Sequence, residues 1–318
     1  MFEPTQIPGM IEPVEQQMLT ELAADPFVAE HGAIVEFGTF FGRSTSCLVN
    51  GALRWWSPER APAVYAFDSY ACIGSRGFAR EVMAFADRAG VGKLVRVEGD
   101  KVNFRPVYDH HVGQAEAVGV LRTTTAELRD SQCPCDRIAL IHLDSPKFYR
   151  ELKYVLVRFF PALVPGARIV FQDFFYHWSA SLIAATQLMV DRGFIAMERS
   201  AASALVTRVL RVPSLQDVLD LDLAMNDASV TGLIDRSIAA VKAIPVDRAE
   251  QFIPRLYLAK MQQLWENGQF AHAEKTLRQM MSDSGNNMNA AVFNDFRELL
   301  RQGFSVRKAY ELDHADRG

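Results

Sequence analysis

Short apolar segments alternate with helical patterns through the first two-thirds of the chain. Each is the length of a buried strand and too short for a buried helix. The clearest segments are residues 33–37, 63–68, 138–144, 168–171, 195–198 and 204–210. Strands separated by helices form a mostly parallel sheet whose crossovers have one hand. The sequence therefore predicts an α/β fold with a doubly wound, mostly parallel sheet.

The region between the second and the third of these segments is less regular. It contains two further candidates for the third core strand, at residues 94–97 and 118–121, and we expect the later one to be in the core. Residues 71–117 are then a long, partly helical insertion. Because long insertions in α/β enzymes often cover an active site, this one is predicted to be a lid.

Pro213 and Ser214 mark a boundary, and every pattern after them is helical. We predict a first domain over residues 1–212 and an all-helical extension over residues 213–318. Residues 267–270 and Ala273 resemble the turn of a tetratricopeptide helical hairpin, but that architecture needs repeats and no second copy is present. Apolar stripes on these helices predict a dimerisation element, and hence a homo-oligomer.

The charge balance limits the partners of the chain. Its net charge is −4, and without a basic stripe nucleic acid is not expected to be a partner. No apolar run approaches the roughly 20 residues of a membrane helix, and the first residues lack the pattern of a signal peptide. A cytoplasmic protein without a membrane partner is expected. Cys133 and Cys135 do not have a zinc-binding spacing, so reduced thiols are expected.

A glycine turn follows the first strand, with glycines at Gly38 and Gly42. Glycines let the backbone approach a ligand, and the helix that follows presents its positive end. A dinucleotide-binding turn has the pattern G-x-G-x-x-G, but Phe40 stands at the middle glycine and crowds a pyrophosphate. The turn therefore favours a smaller nucleoside with a charged tail, such as S-adenosylmethionine. Asp68 ends the second strand, where a carboxylate can accept hydrogen bonds from ribose hydroxyls.

Residues 35–45, VEFGTFFGRST, resemble the first motif of class I S-adenosylmethionine-dependent methyltransferases. They match the E-x-G-x-x-x-G-x-S variant of the catechol and macrocin O-methyltransferases. Residues 141–145 and 163–173 are similar to the macrocin and cephalosporin-type group. The resemblance covers about residues 8–210. It implies a Rossmann-like, seven-stranded sheet with S-adenosylmethionine as cofactor.

The resemblance also implies roles for single residues. Asp68 would hold the ribose, Thr124 would lie near the adenine, and Asp144 would border the cofactor at the end of its strand. The residues implied around the methionine part are Glu36, Gly38, Thr39, Gly42 and Ser44.

Metal-dependent members of this group bind Mg²⁺ through three residues, which align here with Asp144, Gln172 and Asp173. The family usually has an acid where this chain has Gln172. Three oxygen donors with a charge of −2 are compatible with a hard cation. In the motif D-x-x-K of the catechol type, the lysine is the general base, and Lys147 matches it.

A lysine can act as a base only if burial or a nearby cation lowers its pKa. His177 is an alternative base, as are His110 and His111 in the insertion. Tyr176 and Trp178 are candidates for an apolar acceptor pocket.

Together these features predict an enzyme that transfers a methyl group from S-adenosylmethionine to a hydroxyl of a small molecule. A sugar, a polyketide or another natural product is the expected acceptor, with or without the assistance of Mg²⁺. Two alternatives stay open. One is a catalytically inactive scaffold with the same fold, which Gln172 and the single helical hairpin suggest. The other is a nucleotide-dependent oxidoreductase, which Phe40 disfavours.

Overall fold

The computed structural model describes residues 2–73, 77–227, 229–284 and 290–301. Seven strands form one sheet in the order β6-β2-β1-β7-β8-β10-β9. The strands, numbered along the chain, are β1 (Ala33–Phe37), β2 (Val64–Asp68), β6 (Leu121–Thr125), β7 (Ile138–Leu143), β8 (Leu163–Phe171), β9 (Ile195–Ala201) and β10 (Ala204–Val209). The predicted Rossmann-like sheet of seven strands is confirmed.

Strand β1 lies at the centre of the parallel part of the sheet. It pairs in parallel with β2 on one side and with β7 on the other, and β2 pairs in parallel with β6. The chain therefore runs outward from β1 to β6 and then returns to the far side of β1. In open α/β sheets a ligand crevice forms at such a reversal, outside the carboxyl ends of the strands. At the other end of the sheet, β10 and β9 are antiparallel.

Twelve helices are described. They are α1 (Pro13–Ala23), α2 (Pro26–His31), α3 (Arg43–Ala52), α4 (Gly77–Arg88), α5 (Arg105–Ala117), α6 (Tyr149–Arg158), α7 (Ala180–Asp191), α8 (Leu215–Asp227), α9 (Val230–Lys242), α10 (Ala249–Glu266), α11 (Phe270–Ser284) and α12 (Ala290–Arg301). Helix α1 begins with a capping box between Glu12 and Glu15, and Pro13 is its first residue. None of the described helices has both the length and the apolar character that a membrane crossing needs.

The insertion contains a second, smaller sheet. Strands β3 (Ala71–Ile73), β4 (Arg96–Glu98) and β5 (Lys101–Asn103) are antiparallel, in the order β3-β5-β4. The third core strand lies near the later candidate, but it is β6 at Leu121–Thr125, so the predicted bounds of 118–121 are too early by about three residues. The earlier candidate becomes the exposed strand β4, since none of its three residues is buried. A role of the insertion as a lid stays a prediction.

The chain forms two compact units. The first comprises residues up to Pro146 together with Tyr154–Val170, and the second comprises Lys147–Lys153 together with the residues from Phe171 onward. Residues 212 and 213 both belong to the second unit. The domain boundary between them stays a prediction. The core of the first unit lies on β1, β2 and β7, whose apolar side chains are buried on both faces of the sheet.

The second unit contains the helical extension. Every described element after Pro213 is a helix, as predicted. Helix α10 packs against α7, α9, α11 and α12, so it is the centre of this helical array. Its hairpin with α11 contains the predicted helical turn at residues 267–269. Self-association through these helices and a cytoplasmic location both stay predictions.

Candidate functional site

The turn after β1 has a backbone that only glycine fits at its first position. Gly38 has a φ of +83°, and a Cβ atom there would lie 2.6 Å from the backbone nitrogen of Ser145. Phe40 and Gly42 also have positive φ, at 49° and 95°. Because Gly38 has no side chain, the end of β1 can lie directly against the residues that follow β7. We call residues 38–42 the glycine loop.

Asp68 holds this loop in shape. Its Oδ2 accepts hydrogen bonds from the backbone N–H groups of Thr39 and Phe40, at 2.8 and 3.1 Å. Its Oδ1 accepts a third from the N–H of Tyr70, at 2.8 Å. Burial raises the pKa of Asp68, against the effect of these three N–H groups. Oδ2 also lies 3.4 Å from Thr39 Oγ1, whereas Oδ1 has a single donor among the described residues. A carboxylate oxygen has about two acceptor positions, so Oδ1 retains one for a ligand hydroxyl.

Glu36 lies in the core of the first unit, within β1. It is fully buried, and it accepts a hydrogen bond from Thr45 Oγ1 at 2.6 Å. Its second oxygen lies 3.2 Å from Nδ1 of His142, the residue opposite it on β7. That Glu36 borders the cofactor stays a prediction, and its burial and its two contacts favour a structural role. The side chain is directed into the core, where it ties α3 and β7 to β1.

The other residues predicted around the methionine part lie in or beside the glycine loop. Thr39 is 1% exposed, and its hydroxyl donates to Tyr70 OH at 3.1 Å. Gly42 packs over α5 and is followed by α3, in whose first turn Ser44 lies. Helix α3 begins without a side-chain cap and without an acidic residue in its first turn. Its positive end is therefore suited to an anionic group.

Two predicted residues lie on the neighbouring strand ends. Thr124 is directly opposite Phe67, one residue before Asp68 on β2. The backbone N–H of Asp144 donates to the carbonyl of Phe37 at 2.8 Å, which places Asp144 beside Gly38. Thus the glycine loop, Asp68, Thr124 and Asp144 meet at the carboxyl ends of β1, β2, β6 and β7. Their roles toward a ligand stay predictions.

Arg105 is a feature of this edge that sequence reasoning missed. Its guanidinium lies over the rings of Tyr70 and Tyr108, at 5.0 and 5.7 Å from their centroids. It also donates to Thr125 Oγ1 at 3.1 Å, at the end of β6. Arg105 and Tyr70 are 35 residues apart in the sequence, so no local motif predicts their contact.

In the second unit, Lys147 and Asp173 form an ion pair through Nζ and Oδ2. Their side chains are 13% and 21% exposed. The ammonium group also lies 5.6 Å from the centre of the Trp178 ring, which stacks on Tyr176 at 5.3 Å. We call these four residues the Lys147 cluster. The predicted base and the predicted aromatic pocket residues therefore do come together.

The predicted metal donors do not fit a magnesium ion. Asp173 already has an ammonium group as its counter-charge, and a divalent cation would have to compete with it. Gln172 is 3% exposed, and its Nε2 donates to Ser203 Oγ at 3.1 Å. Across the described ranges, no three His, Cys, Asp or Glu side chains are grouped as metal ligands.

The alternative bases have less suitable surroundings. Burial lowers the pKa of His177 to about 4, so it is a weak proton acceptor near neutrality. Its Nδ1 has no hydrogen-bond partner among the described residues. His110 and His111 lie within α5, where His110 is exposed and burial lowers the pKa of His111. The prediction of His177 as base is therefore not supported by its environment.

Sequence comparisons add no assignment, since no family model and no curated protein matches the chain. Among solved structures, the chain is similar to the O-methyltransferase NovP, with 17% identity over 64% of this chain and 83% of that one (TM-score 0.47). It is similar to CalS11, a TDP-rhamnose 3'-O-methyltransferase of calicheamicin biosynthesis, with 19% identity over 62% and 80% of the chains (TM-score 0.38). A third is an O-methyltransferase from Bacillus cereus in complex with SAH, with 15% identity over 65% and 86% (TM-score 0.35).

Proposed function

We propose that the protein is an S-adenosylmethionine-dependent methyltransferase that methylates a hydroxyl group of a small molecule. The observation that carries this proposal is the arrangement of groups at the carboxyl ends of β1 and β2. There the glycine loop, the uncapped end of α3 and the carboxylate of Asp68 lie side by side. These are groups suited to a nucleoside with an anionic tail.

Each part of the cofactor has a partner of matching chemistry among these groups. The positive end of α3 suits the carboxylate of the methionine part, and the acceptor capacity left on Asp68 suits a ribose hydroxyl. Thr124, beside the end of β2, is assigned to the adenine side. A pyrophosphate is disfavoured because the ring of Phe40 stacks on Phe41 at 4.0 Å and occupies the place of the middle glycine. This argues against a dinucleotide cofactor.

The Lys147 cluster is assigned to the acceptor hydroxyl. In the reaction, the hydroxyl oxygen attacks the sulfonium methyl carbon, the carbon–sulfur bond breaks, and S-adenosylhomocysteine leaves with the bonding electron pair. The hydroxyl proton must go to a base. Because Lys147 Nζ donates to Asp173 Oδ2, the carboxylate is the acceptor of this pair, and we assign the proton to it. Lys147 then donates a hydrogen bond to the oxygen as its negative charge develops.

No step of this scheme runs through a metal ion, since Asp173 and Gln172 already have partners that a cation would have to displace. The natural-product acceptors expected from the sequence stay part of the proposal. Trp178 and Tyr176 offer stacked aromatic faces beside the acid–base pair, and these suit the apolar surface of a ring-shaped acceptor.

Calorimetric titration with S-adenosylhomocysteine tests the cofactor assignment. The wild-type protein is expected to bind it saturably and not to bind NAD. Asp68→Ala is expected to weaken binding at least tenfold, whereas Asp130→Ala, at an exposed acid after β6, leaves it unchanged. Absence of binding to the wild-type protein, or tight binding of NAD, would overturn the proposal. Binding without methyl transfer to any acceptor of a broad screen would favour the inactive scaffold.

A further inference from the structure

Helices α9, α10 and α11 enclose a groove of about 730 Å³ in the second unit. Helix α10 packs against both of the others and forms the floor. The polar side chains that line the groove recur at helical spacing, so that one face of each helix is turned toward it. They include Asp235 and Lys242 on α9, Lys260 on α10, and His272, Lys275 and Gln279 on α11.

Lysine is rare in this protein but concentrated in the groove. The chain has eight lysines, and three of them line this one surface. The protein as a whole has a net charge of −4. Asp235 is the only acidic side chain among the lining residues in the described part of the chain. Asp235 pairs with Lys260, and Asp283 on α11 pairs with Lys242, so the excess positive charge of the groove lies at Lys275. This charge favours an anionic ligand.

Two of these lysines are held in fixed positions. Lys260 donates to both carboxylate oxygens of Asp235, at 2.6 and 2.7 Å, and its side chain is 18% exposed. Lys242 donates to Tyr257 OH at 3.2 Å and to the carboxylate of Asp283, which joins all three helices. An ammonium group has three N–H donors. Each of these two lysines therefore retains one donor in a fixed orientation, while Lys275 carries its own positive charge.

The size of the groove indicates the form of the ligand. On α9 the lining residues extend from Thr231 to Lys242, a length of about 16 Å along the helix. About five residues of extended chain cover that distance. Hydroxyl and amide groups along the walls, at Thr231, Thr276 and Gln279, suit the polar groups of a peptide backbone. Leu264 offers an apolar contact on the floor.

We propose that this groove binds an extended acidic peptide segment of a partner protein, with its carboxylates on Lys242, Lys260 and Lys275. The helices after residue 212 would then bind a partner protein, a role distinct from the cofactor binding proposed for the first unit. Lys275 is the residue on which recognition depends most directly, because its charge is not shared with an ion-pair partner among the described residues.

Fluorescein-labelled hexaglutamate is a suitable probe, measured by fluorescence anisotropy with the full-length protein at low ionic strength. Saturable binding is expected, and it should weaken as salt screens the charges. Lys275→Met is expected to weaken binding at least fivefold, whereas Lys275→Arg, which keeps the charge, weakens it less than twofold. The matched control is Lys101→Met, at an exposed lysine of β5, which should leave binding unchanged.

Three outcomes would overturn the proposal. One is no binding of hexaglutamate to the wild-type protein. A second is equal binding by Lys275→Met and Lys101→Met, which would mean general attraction to the surface. A third is binding of inorganic tripolyphosphate that depends on Lys275 while hexaglutamate does not compete for it, which would make the groove a small-anion site. Circular dichroism of each variant shows whether the helices are intact.

Discussion

The glycine loop and the Lys147 cluster both contain charged side chains, but these side chains are used in different ways. In the loop, Asp68 accepts three backbone hydrogen bonds, and the nearby Glu36 is completely buried between Thr45 and His142. In the cluster, Lys147 and Asp173 bond to each other and remain partly exposed. The loop therefore has its shape before any ligand arrives, whereas the cluster has charges that a substrate can contact.

Because of this difference, we expect the loop to control stability and cofactor affinity, and the cluster to control turnover. Backbone N–H groups cannot rearrange without moving the loop, so substitutions there should cost stability and cofactor affinity together. A pair of partly exposed side chains can change partners without moving the fold. Substitutions in the cluster should therefore reduce turnover while the free energy of unfolding stays nearly the same.

The largest effect is expected for Lys147→Met. If Lys147 stabilises the developing charge on the acceptor oxygen, its loss should lower the turnover number about 100- to 10,000-fold. Formation of S-adenosylhomocysteine with an acceptor found by screening measures this effect. The affinity for S-adenosylhomocysteine should not change.

Lys153→Met is the matched control, since Lys153 lies on α6, six residues after Lys147, but pairs with Asp222. Its turnover should equal that of the wild-type protein. Lys147→Arg should recover part of the activity because it keeps the positive charge. Equal turnover of the two methionine variants would remove Lys147 from the proposed mechanism.

Gly38→Ala tests the expectation that substitutions in the glycine loop reduce stability and cofactor affinity together. The added Cβ would meet the backbone at Ser145 in a conformation with positive φ, so the free energy of unfolding should fall by about 3 kcal/mol. Chemical denaturation measures this loss, and S-adenosylhomocysteine binding should be lost with it. Gly90→Ala is the control, since Gly90 also has positive φ but no atoms within 4 Å of its added Cβ. If both substitutions cost the same, the close approach at Ser145 does not matter.

The sequence predicted the strands of the core well because their signal is local. Strands β1, β2 and β7 are continuous apolar runs. Strand β4, which the sequence analysis did not place in the core, is exposed. Glu36 could not be placed from the sequence. A strand buried on both faces gives no sign of which face a polar residue takes, and the partner His142 is 106 positions away.

The candidate site was only partly predictable for the same reason. The glycine turn and the strand-end acids follow from residue type and position along the chain. The pairing of Lys147 with Asp173 depends on two elements separated by 26 residues. The groove likewise combines lysines from three helices at positions 242, 260 and 275, which form no linear motif.

His177 provides the smallest test, because it lies between Tyr176 and Trp178 of the cluster in sequence, while its Nδ1 atom is buried. Burial and the charge of Arg255 lower its pKa to about 4, while Asp295 acts in the opposite direction. The unfolded chain binds a proton at His177 below pH 6.5, whereas the folded protein does so only near pH 4. Stability is therefore unaffected above the unfolded pKa and is lost as the pH falls between these two values.

The lowered pKa of His177 therefore reduces the free energy of unfolding by about 1 kcal/mol at pH 5.5, relative to pH 7.5. Urea denaturation at both pH values measures the free energy of unfolding. The loss between pH 7.5 and pH 5.5 should be about 1 kcal/mol smaller in His177→Gln than in the wild-type protein. His110→Gln, at an exposed position of α5, should show the wild-type loss. If His177→Gln and His110→Gln lose the same stability, His177 is accessible to protons in the folded protein. It would then belong with the exchangeable charges of the Lys147 cluster, and its assignment as a base would be open again.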